Sequence, residues 1–111
     1  MATKEPTELG RVTIAPGVLA TIVSLTAQAV PGVARLGSAG VGHILGHGDS
    51  AEGVHVHVKD EAVWADVFLV VEQGRNMYQV GTQVQKEVSK AVLQMVGMPV
   101  QEVNVYFQDV A

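Results

Sequence analysis

Residues 76–110 read NMYQVGTQVQKEVSKAVLQMVGMPVQEVNVYFQDV, and this stretch decides the fold. In its first part, apolar residues recur at the spacing of an amphipathic helix. Asn76 is a suitable N-cap, Gly97 can adopt the left-handed backbone that commonly ends a helix, and Pro99 prevents continuation. After the proline, apolar and polar residues alternate as in a half-buried strand. The sequence therefore predicts a helix over 76–96 followed directly by a strand.

Two more strands are predicted before this helix. Val54–Val58 alternates valine with histidine, whereas Ala62–Glu72 has apolar residues on both of its faces. A strand of the second kind is typical of the interior of a sheet. Asp60 and Glu61 form a short polar turn between the two strands. We therefore expect a hairpin whose second strand is central.

The first third of the chain predicts one further strand and one further helix. Leu9–Ala15 alternates as a strand does. The helix is expected over 17–30, because Pro16 suits the start of a helix and Pro31 ends the apolar periodicity. Val33–Leu36 is a candidate for a short extended segment.

Together these elements predict a two-layer α+β sandwich in the order β-α-β-β-α-β. Each helix has one apolar stripe, so both are expected on one face of a mostly antiparallel sheet, as in a ferredoxin-like arrangement. The single domain is expected over 9–110, after a flexible N-terminal tail at 1–8. Residues 37–53 contain six glycines and are expected to form a flexible loop.

The composition excludes several classes of function. The chain has 111 residues, of which 48% are apolar and 16% charged, as expected for one folded domain. Its net charge is −4 and its Lys and Arg residues are scattered, so we expect no nucleic acid as partner and only indirect contact with a membrane. The absence of cysteine excludes disulfides and thiolate catalysis. No apolar run marks a signal peptide, and we expect a cytoplasmic protein.

Four histidines raise the alternative of a metal site. His43 and His47 are four residues apart, His55 and His57 share one face of a predicted strand, and Asp49 could join them. The first pair lies among glycines that need not be helical, and strand alternation already directs the second pair toward solvent. We expect no metal site and no cofactor, with zinc binding by these histidines left as the alternative.

The remaining polar residues form no recognisable catalytic set. The glycines of 37–48 lack the Lys and the Ser or Thr that follow them in a phosphate-binding loop. Most carboxylates fall in turns or on polar faces, with Asp66 as the exception between Trp64 and Phe68. One carboxylate without a partner is a weak basis for acid–base catalysis. We therefore expect a protein that is not an enzyme.

The second face of the sheet is the strongest candidate for function. If the alternating valines of the strands pack under the helices, the alternation directs other large side chains outward, beside His55 and His57. These predicted interaction residues are Trp64, Phe68, Val70 and Tyr106. Exposed apolar groups of this kind usually mark an interface. The alternatives are that the two faces are reversed or that the glycine-rich loop covers the patch.

Two groups of short motifs resemble those of a known family. The first group is GxVxIAPGV at 10–18 with VxGVA at 30–34, and the second is VG at 80–81, VQKEV at 84–88, AV at 91–92, EVNV at 102–105 and QDV at 108–110. In this order and spacing they resemble the alkaline shock protein 23 and Gls24 family of bacterial envelope-stress proteins. The resemblance extends over Leu9–Val110.

The resemblance implies a small cytosolic protein without enzymatic activity that self-associates near the inner face of the membrane. It also implies a small membrane-anchor protein as partner and a role in envelope homeostasis under stress. The family has no catalytic residues to carry over. Residues 37–53 depart from the family pattern, because the corresponding segment is often charged and here it is glycine-rich.

Two classes of function follow from the sequence. The first is a cell-envelope scaffold that binds copies of itself and a membrane-anchor partner. The second is a small RNA-binding or ligand-binding module that uses the aromatic face of the sheet as a stacking platform. An RNA platform needs basic groups beside its aromatic residues, and the sequence lacks them there. The sequence therefore favours the scaffold.

Overall fold

The structure is a computed structural model that describes residues 2–3, 8–15, 17–37, 49–51 and 53–111. In chain order these residues form β1 (Ala2–Thr3), β2 (Thr13–Ile14), α1 (Val18–Gln28), β3 (Val33–Leu36), β4 (Asp49–Ala51), β5 (Val54–Lys59), β6 (Ala62–Val71), α2 (Met77–Val96) and β7 (Val100–Val110).

β6 is the central strand of a five-stranded sheet. Along one edge it pairs antiparallel first with β5 and then with β3, and β4 pairs with the far edge of β5. Phe68 lies between the segments of β6 that pair with β5 and with β3. Its N–H donates to Gly53 O, just before β5, and its C=O accepts from Gly37 N, just after β3. β7 runs parallel to β6 along the whole of the other edge. Both edges of β6 are used, as expected for a strand that is apolar on both faces.

The hairpin of β5 and β6 closes through a two-residue turn at Asp60 and Glu61. Their φ angles are 52° and 60°, which are the left-handed values required at both central positions of a type I′ turn. This turn matches the twist of the two strands and fixes their register, with His57 opposite Trp64 and Val58 opposite Val63. The predicted turn is confirmed, although neither residue is a glycine.

Both ends of α2 are capped as the sequence predicts. Asn76 is extended, and its side-chain Oδ1 accepts a hydrogen bond from Gln79 N at 3.0 Å. Gly97 is left-handed with φ 79°, and its N–H donates to Leu93 O at 3.0 Å. The cap at each end satisfies backbone groups that the helix itself leaves without a partner.

The core lies between one face of the sheet and both helices. Alternate residues of β6 from Val63 to Val71 point into it, and the buried stripes of α1 and α2 cover them. The two helices also pack against each other. The predicted α+β class, the element order and the position of both helices on one face are confirmed.

Two glycines allow close approaches in this core. A Cβ on Gly81 of α2 would lie 3.4 Å from the ring of Phe107 in β7. Gly32, between α1 and β3, has φ +98°, and a Cβ there would lie only 2.7 Å from Cγ2 of Val80. The first turns of α2 are therefore held close both to the last strand and to the end of α1.

The N-terminal strand is shorter than the alternation predicts and lies outside the main sheet. Of Leu9–Ala15, only Thr13–Ile14 is a strand, and it pairs with Ala2–Thr3. Both edges of β6 already have partners, so no place beside the central strand remains for it. The predicted tail at 1–8 falls mostly outside the described residues, although β1 belongs to it.

The glycine-rich loop predicted at 37–53 also lies mostly outside the described residues. Its described part contains β4, a strand that the glycine content did not indicate. Asp49–Ala51 pairs with the start of β5 through a tight reversal at Gly53, whose φ is 73°. This hairpin extends the sheet on the side away from β7.

Candidate interaction surface

The outer sheet face is the side of the sheet opposite the two helices. The strand register places its residues in rows across β5, β6 and β7. The rows are His57 with Trp64 and Glu102, then His55 with Asp66 and Asn104, then Phe68 with Tyr106. Within the described residues, both helices lie on the other side of the sheet, so no helix covers these rows.

Aromatic side chains form two contacts on this face. The rings of Phe68 and Tyr106 stack with their centroids 4.9 Å apart and their planes 16° apart. The rings of His57 and Trp64 are 6.1 Å apart and tilted by 54°. Tyr106 is 47% exposed, whereas Trp64 and Phe68 are half-buried by their neighbours. Three of the predicted interaction residues are therefore at least partly exposed on one face, and their role in binding stays a prediction.

Val70, the fourth predicted interaction residue, lies on the same face but is buried. Only 3% of it is exposed. Its neighbours across the sheet are Arg35 of β3 and Asp109 of β7, and the nearby side-chain amide of Gln108 lies against Gly37. Alternation gives the direction of a side chain but not its cover, so the sequence could not show that Val70 is inaccessible.

Asp66 is the one carboxylate between the aromatic residues of β6. Its Oδ1 accepts a hydrogen bond from Asn104 Nδ2 at 3.1 Å across the parallel strand pair. A hydrogen-bonded carboxylate on a half-buried strand is a common way to satisfy such a group. The pair connects β6 to β7 on the outer sheet face and gives Asp66 a structural role.

Several apolar side chains of the two helices are exposed to solvent, and helical spacing alone does not show that they are. These are Val18 and Leu25 on α1 and Met77, Tyr78, Leu93 and Met95 on α2. Leu25 is 63% exposed. A signal for part of this set is present in the sequence, since no charged residue occurs from 12 to 34. A helix without charge has no strongly polar face to direct toward water.

A shallow groove of about 490 Å³ opens between the end of α1 and the first half of α2. It is lined by Thr26, Ala29, Val30, Pro31, Gln83 and Glu87. Glu87 is the one titratable side chain of this lining, and its carboxylate accepts a hydrogen bond from Gln83 Nε2 at 3.0 Å. This lining offers no nucleophile and base in contact, so it provides no basis for a catalytic site.

Within the described part of the chain, no group of three or more His, Cys, Asp or Glu side chains could hold a metal ion. His55 and His57 lie on the outer sheet face, while His43 and His47 lie outside the described residues. Over the same described part, no helix is long and apolar enough to cross a membrane.

The geometry defines a small two-layer α+β protein whose helices cover one face of the sheet and leave an aromatic face on the other. The family model of the alkaline shock protein 23 family, with a cell envelope-related function, matches residues 4–111. The chain belongs to this family, and its function is related to the cell envelope.

Two relatives from Bacillus subtilis (strain 168) match most of the chain. The uncharacterized protein YqhY is 32% identical over an alignment of 105 residues, and the match covers 92% of this chain and 78% of that protein. The uncharacterized protein YloU is 28% identical over an alignment of 109 residues, and the match covers 94% of this chain and 91% of that protein. The family assignment therefore rests on nearly full-length similarity.

Solved structures of MamM CTD share the fold. A variant of that domain in its zinc form has a TM-score of 0.50 and 15% sequence identity, and the match covers 82% of this chain and 81% of that chain. Similarity at this identity concerns the arrangement of helices and strands alone.

Proposed function

We propose that this protein is a scaffold without enzymatic activity that acts in cell-envelope homeostasis under stress. It self-associates, partly through the outer sheet face, and binds a small membrane-anchor protein on the cytoplasmic side. The functional unit is the single domain of residues 9–110. Membership of a cell envelope-related family supports the process, and the aromatic sheet face supports the mode of action.

The observation that carries the proposal is the aromatic set on the outer sheet face. Trp64, Phe68 and Tyr106 lie on one side of the sheet, and the stacked pair of Phe68 and Tyr106 forms a flat apolar surface. Burial of such a surface against another molecule contributes roughly 25 cal/mol for each Å² of apolar area removed from water. Tyrosine and tryptophan are also enriched among the few interface residues that contribute most of the binding energy.

An RNA-binding module is the weaker explanation of the same aromatic residues. In the rows of the aromatic residues and between them, the charged residues are Asp66 and Glu102, in register with the two histidines and with Trp64. The basic residues Lys59 and Arg35 lie one row further out, at the two ends of this face. Carboxylates repel the phosphate backbone that supplies much of the affinity of proteins for nucleic acid. The local charge therefore favours a protein partner.

Sedimentation velocity over a concentration series tests the proposal. The double variant Trp64→Ser/Phe68→Gln removes two large apolar side chains from the outer sheet face and leaves the core-facing residues unchanged. We expect the unmodified protein to associate as concentration rises, and the variant to need at least a tenfold higher concentration. Circular dichroism checks that the variant keeps its helices and strands.

A matched control removes two apolar side chains from the other layer. Leu25→Gln/Leu93→Gln changes residues that are exposed on the helices, and association should persist unchanged. The proposal is wrong if the unmodified protein stays monomeric at all concentrations. The assignment to the aromatic face is wrong if the folded sheet variant associates normally.

A further inference from the structure

The outer edge of β7 is a second feature with the properties of an interface. β7 has 11 residues and pairs with β6 along one edge. Among the described strands, none pairs with its other edge. An open edge displays backbone N–H and C=O groups that can bind another strand. In β7, neither proline nor lysine blocks this edge.

The register shows which backbone groups of β7 face outward. Val63 N donates to Pro99 O, and Ala111 N donates to Val71 O, so the odd-numbered residues of β6 hydrogen-bond to β7. Neighbouring residues of a strand direct their backbone groups to opposite edges. With Val67 in register with Val105, the groups of Asn104 and Tyr106 bond to β6, whereas those of Val103, Val105 and Phe107 face outward.

Three features limit the open part of this edge. Register shifts leave Gln101 and Gln108 as extra residues at either end, and such bulges interrupt regular pairing. Gln85 of α2 donates from Nε2 to Val103 O at 3.0 Å, which occupies an outward carbonyl and agrees with the deduced directions. The regular segment with both backbone groups of each outward residue available is therefore Val105 to Phe107.

We propose that this segment pairs antiparallel with the same segment of a second copy, around a two-fold axis at Tyr106. This inference rests on the self-association proposed above and assigns it a contact. Val105 then lies opposite Phe107 of the second copy, and each of these pairs exchanges two hydrogen bonds. An axis at Val105 would instead oppose Val103 to Phe107 and compete with Gln85, whereas an axis at Phe107 would bring in residues beyond the bulge.

The chemistry of the segment favours a second copy as its occupant. An axis at Tyr106 sets Asn104 opposite Gln108, so no like charges oppose each other within 104–108. It also sets Tyr106 opposite Tyr106 of the second copy, which continues the stack of Phe68 and Tyr106 across the junction. The two aromatic faces then form one surface on a continuous sheet.

Disulfide trapping tests this arrangement directly, because the chain contains no cysteine. Residues opposed in a pair without mutual hydrogen bonds have Cα atoms about 4.5 Å apart, within the range of about 4.4–6.8 Å for disulfides. Tyr106→Cys should therefore form a covalent dimer rapidly when the folded protein is oxidised with diamide. Asn104→Cys is the matched control. In this arrangement the Asn104 residues of the two copies are offset by four positions along the strand, about 13 Å, which is too far for a disulfide.

A proline substitution provides the second measurement. Val105→Pro removes an outward N–H and leaves the hydrogen bonds to β6, as proline allows at an edge strand. We expect its dissociation constant to rise at least tenfold with unchanged circular dichroism. If Val105→Pro does not fold, the cysteine result decides.

The outcomes separate this inference from the proposed function. If the unmodified protein sediments as a monomer at every concentration, self-association itself is wrong. If it associates but Tyr106→Cys and Asn104→Cys crosslink equally, or Tyr106→Cys does not crosslink, the edge contact is wrong and the scaffold proposal stands. The same conclusion follows if a folded Val105→Pro variant associates normally.

Discussion

At the scale of one residue, Glu61 occupies a turn position whose backbone conformation favours glycine. Its φ is 60°, a value at which an L side chain costs roughly 1–2 kcal/mol relative to glycine. The side chain is exposed, so removing it loses no core contact. Glu61→Gly should therefore raise the free energy of unfolding by about 1 kcal/mol, measured by chemical denaturation.

Gly32 provides the opposite change as a control. It also has a positive φ, and an added Cβ would lie 2.7 Å from Val80 Cγ2 in the core. Gly32→Ala should therefore lower the stability by about 1–3 kcal/mol, through strain in the backbone and crowding. A stability loss in Glu61→Gly, or none in Gly32→Ala, would contradict this account of the two positions.

At the scale of the element, α2 depends on the residue that caps its N-terminus. Asn76 accepts the hydrogen bond from Gln79 N, and replacement of such a cap by alanine costs about 0.5–2 kcal/mol. Asn76→Ala should lower the melting temperature by roughly 4–8 °C for each kcal/mol lost. Asn76→Ser keeps an acceptor and should stay close to the unmodified protein in a thermal melt. Equal melting of the two variants would show that the cap is dispensable.

The elements differ in how far the sequence predicts them. α2 and the hairpin of β5 and β6 follow from local signals, because Asn76 and Gly97 mark the helix ends and the valines of the hairpin alternate. β4 lies at the edge of a glycine-rich segment and gains its structure from pairing with β5. Its three residues are too few to show an alternating pattern, and the glycines around them indicate a loop, so this strand was not predicted.

At the scale of the whole molecule, the alternation of a strand predicts toward which face each side chain points, whereas the arrangement of the strands decides whether that side chain is exposed. The alternation of β6 places Trp64 and Phe68 on the outer sheet face, and the structure agrees. The burial of Val70, which is in register with Arg35 of β3 and Asp109 of β7, depends on its surroundings in the fold and does not follow from alternation. The open edge of β7 likewise depends on strand order, which no periodicity of one strand can show.

The same topology predicts an order of amide protection. β6 has hydrogen-bonded neighbours on both edges, so its amides should exchange most slowly with solvent, near the rate of global unfolding. The pairing of β1 and β2 extends over only two residues of each strand, and Thr13 is exposed, so it should open readily. Hydrogen exchange followed by nuclear magnetic resonance would contradict this if Thr13 or Ile14 exchanged as slowly as Phe68.

The parallel pairing of β6 and β7 has a consequence for the route by which the chain folds. β5 and β6 are joined by a two-residue turn, so their pairing closes a short loop at small entropic cost. β7 reaches β6 only after α2 packs across the core, which makes that contact non-local and slow. Until then, an apolar strand of 10 residues carries an unpaired edge. Refolding yield should therefore fall with rising protein concentration, because early intermediates can associate through β6 before β7 covers it.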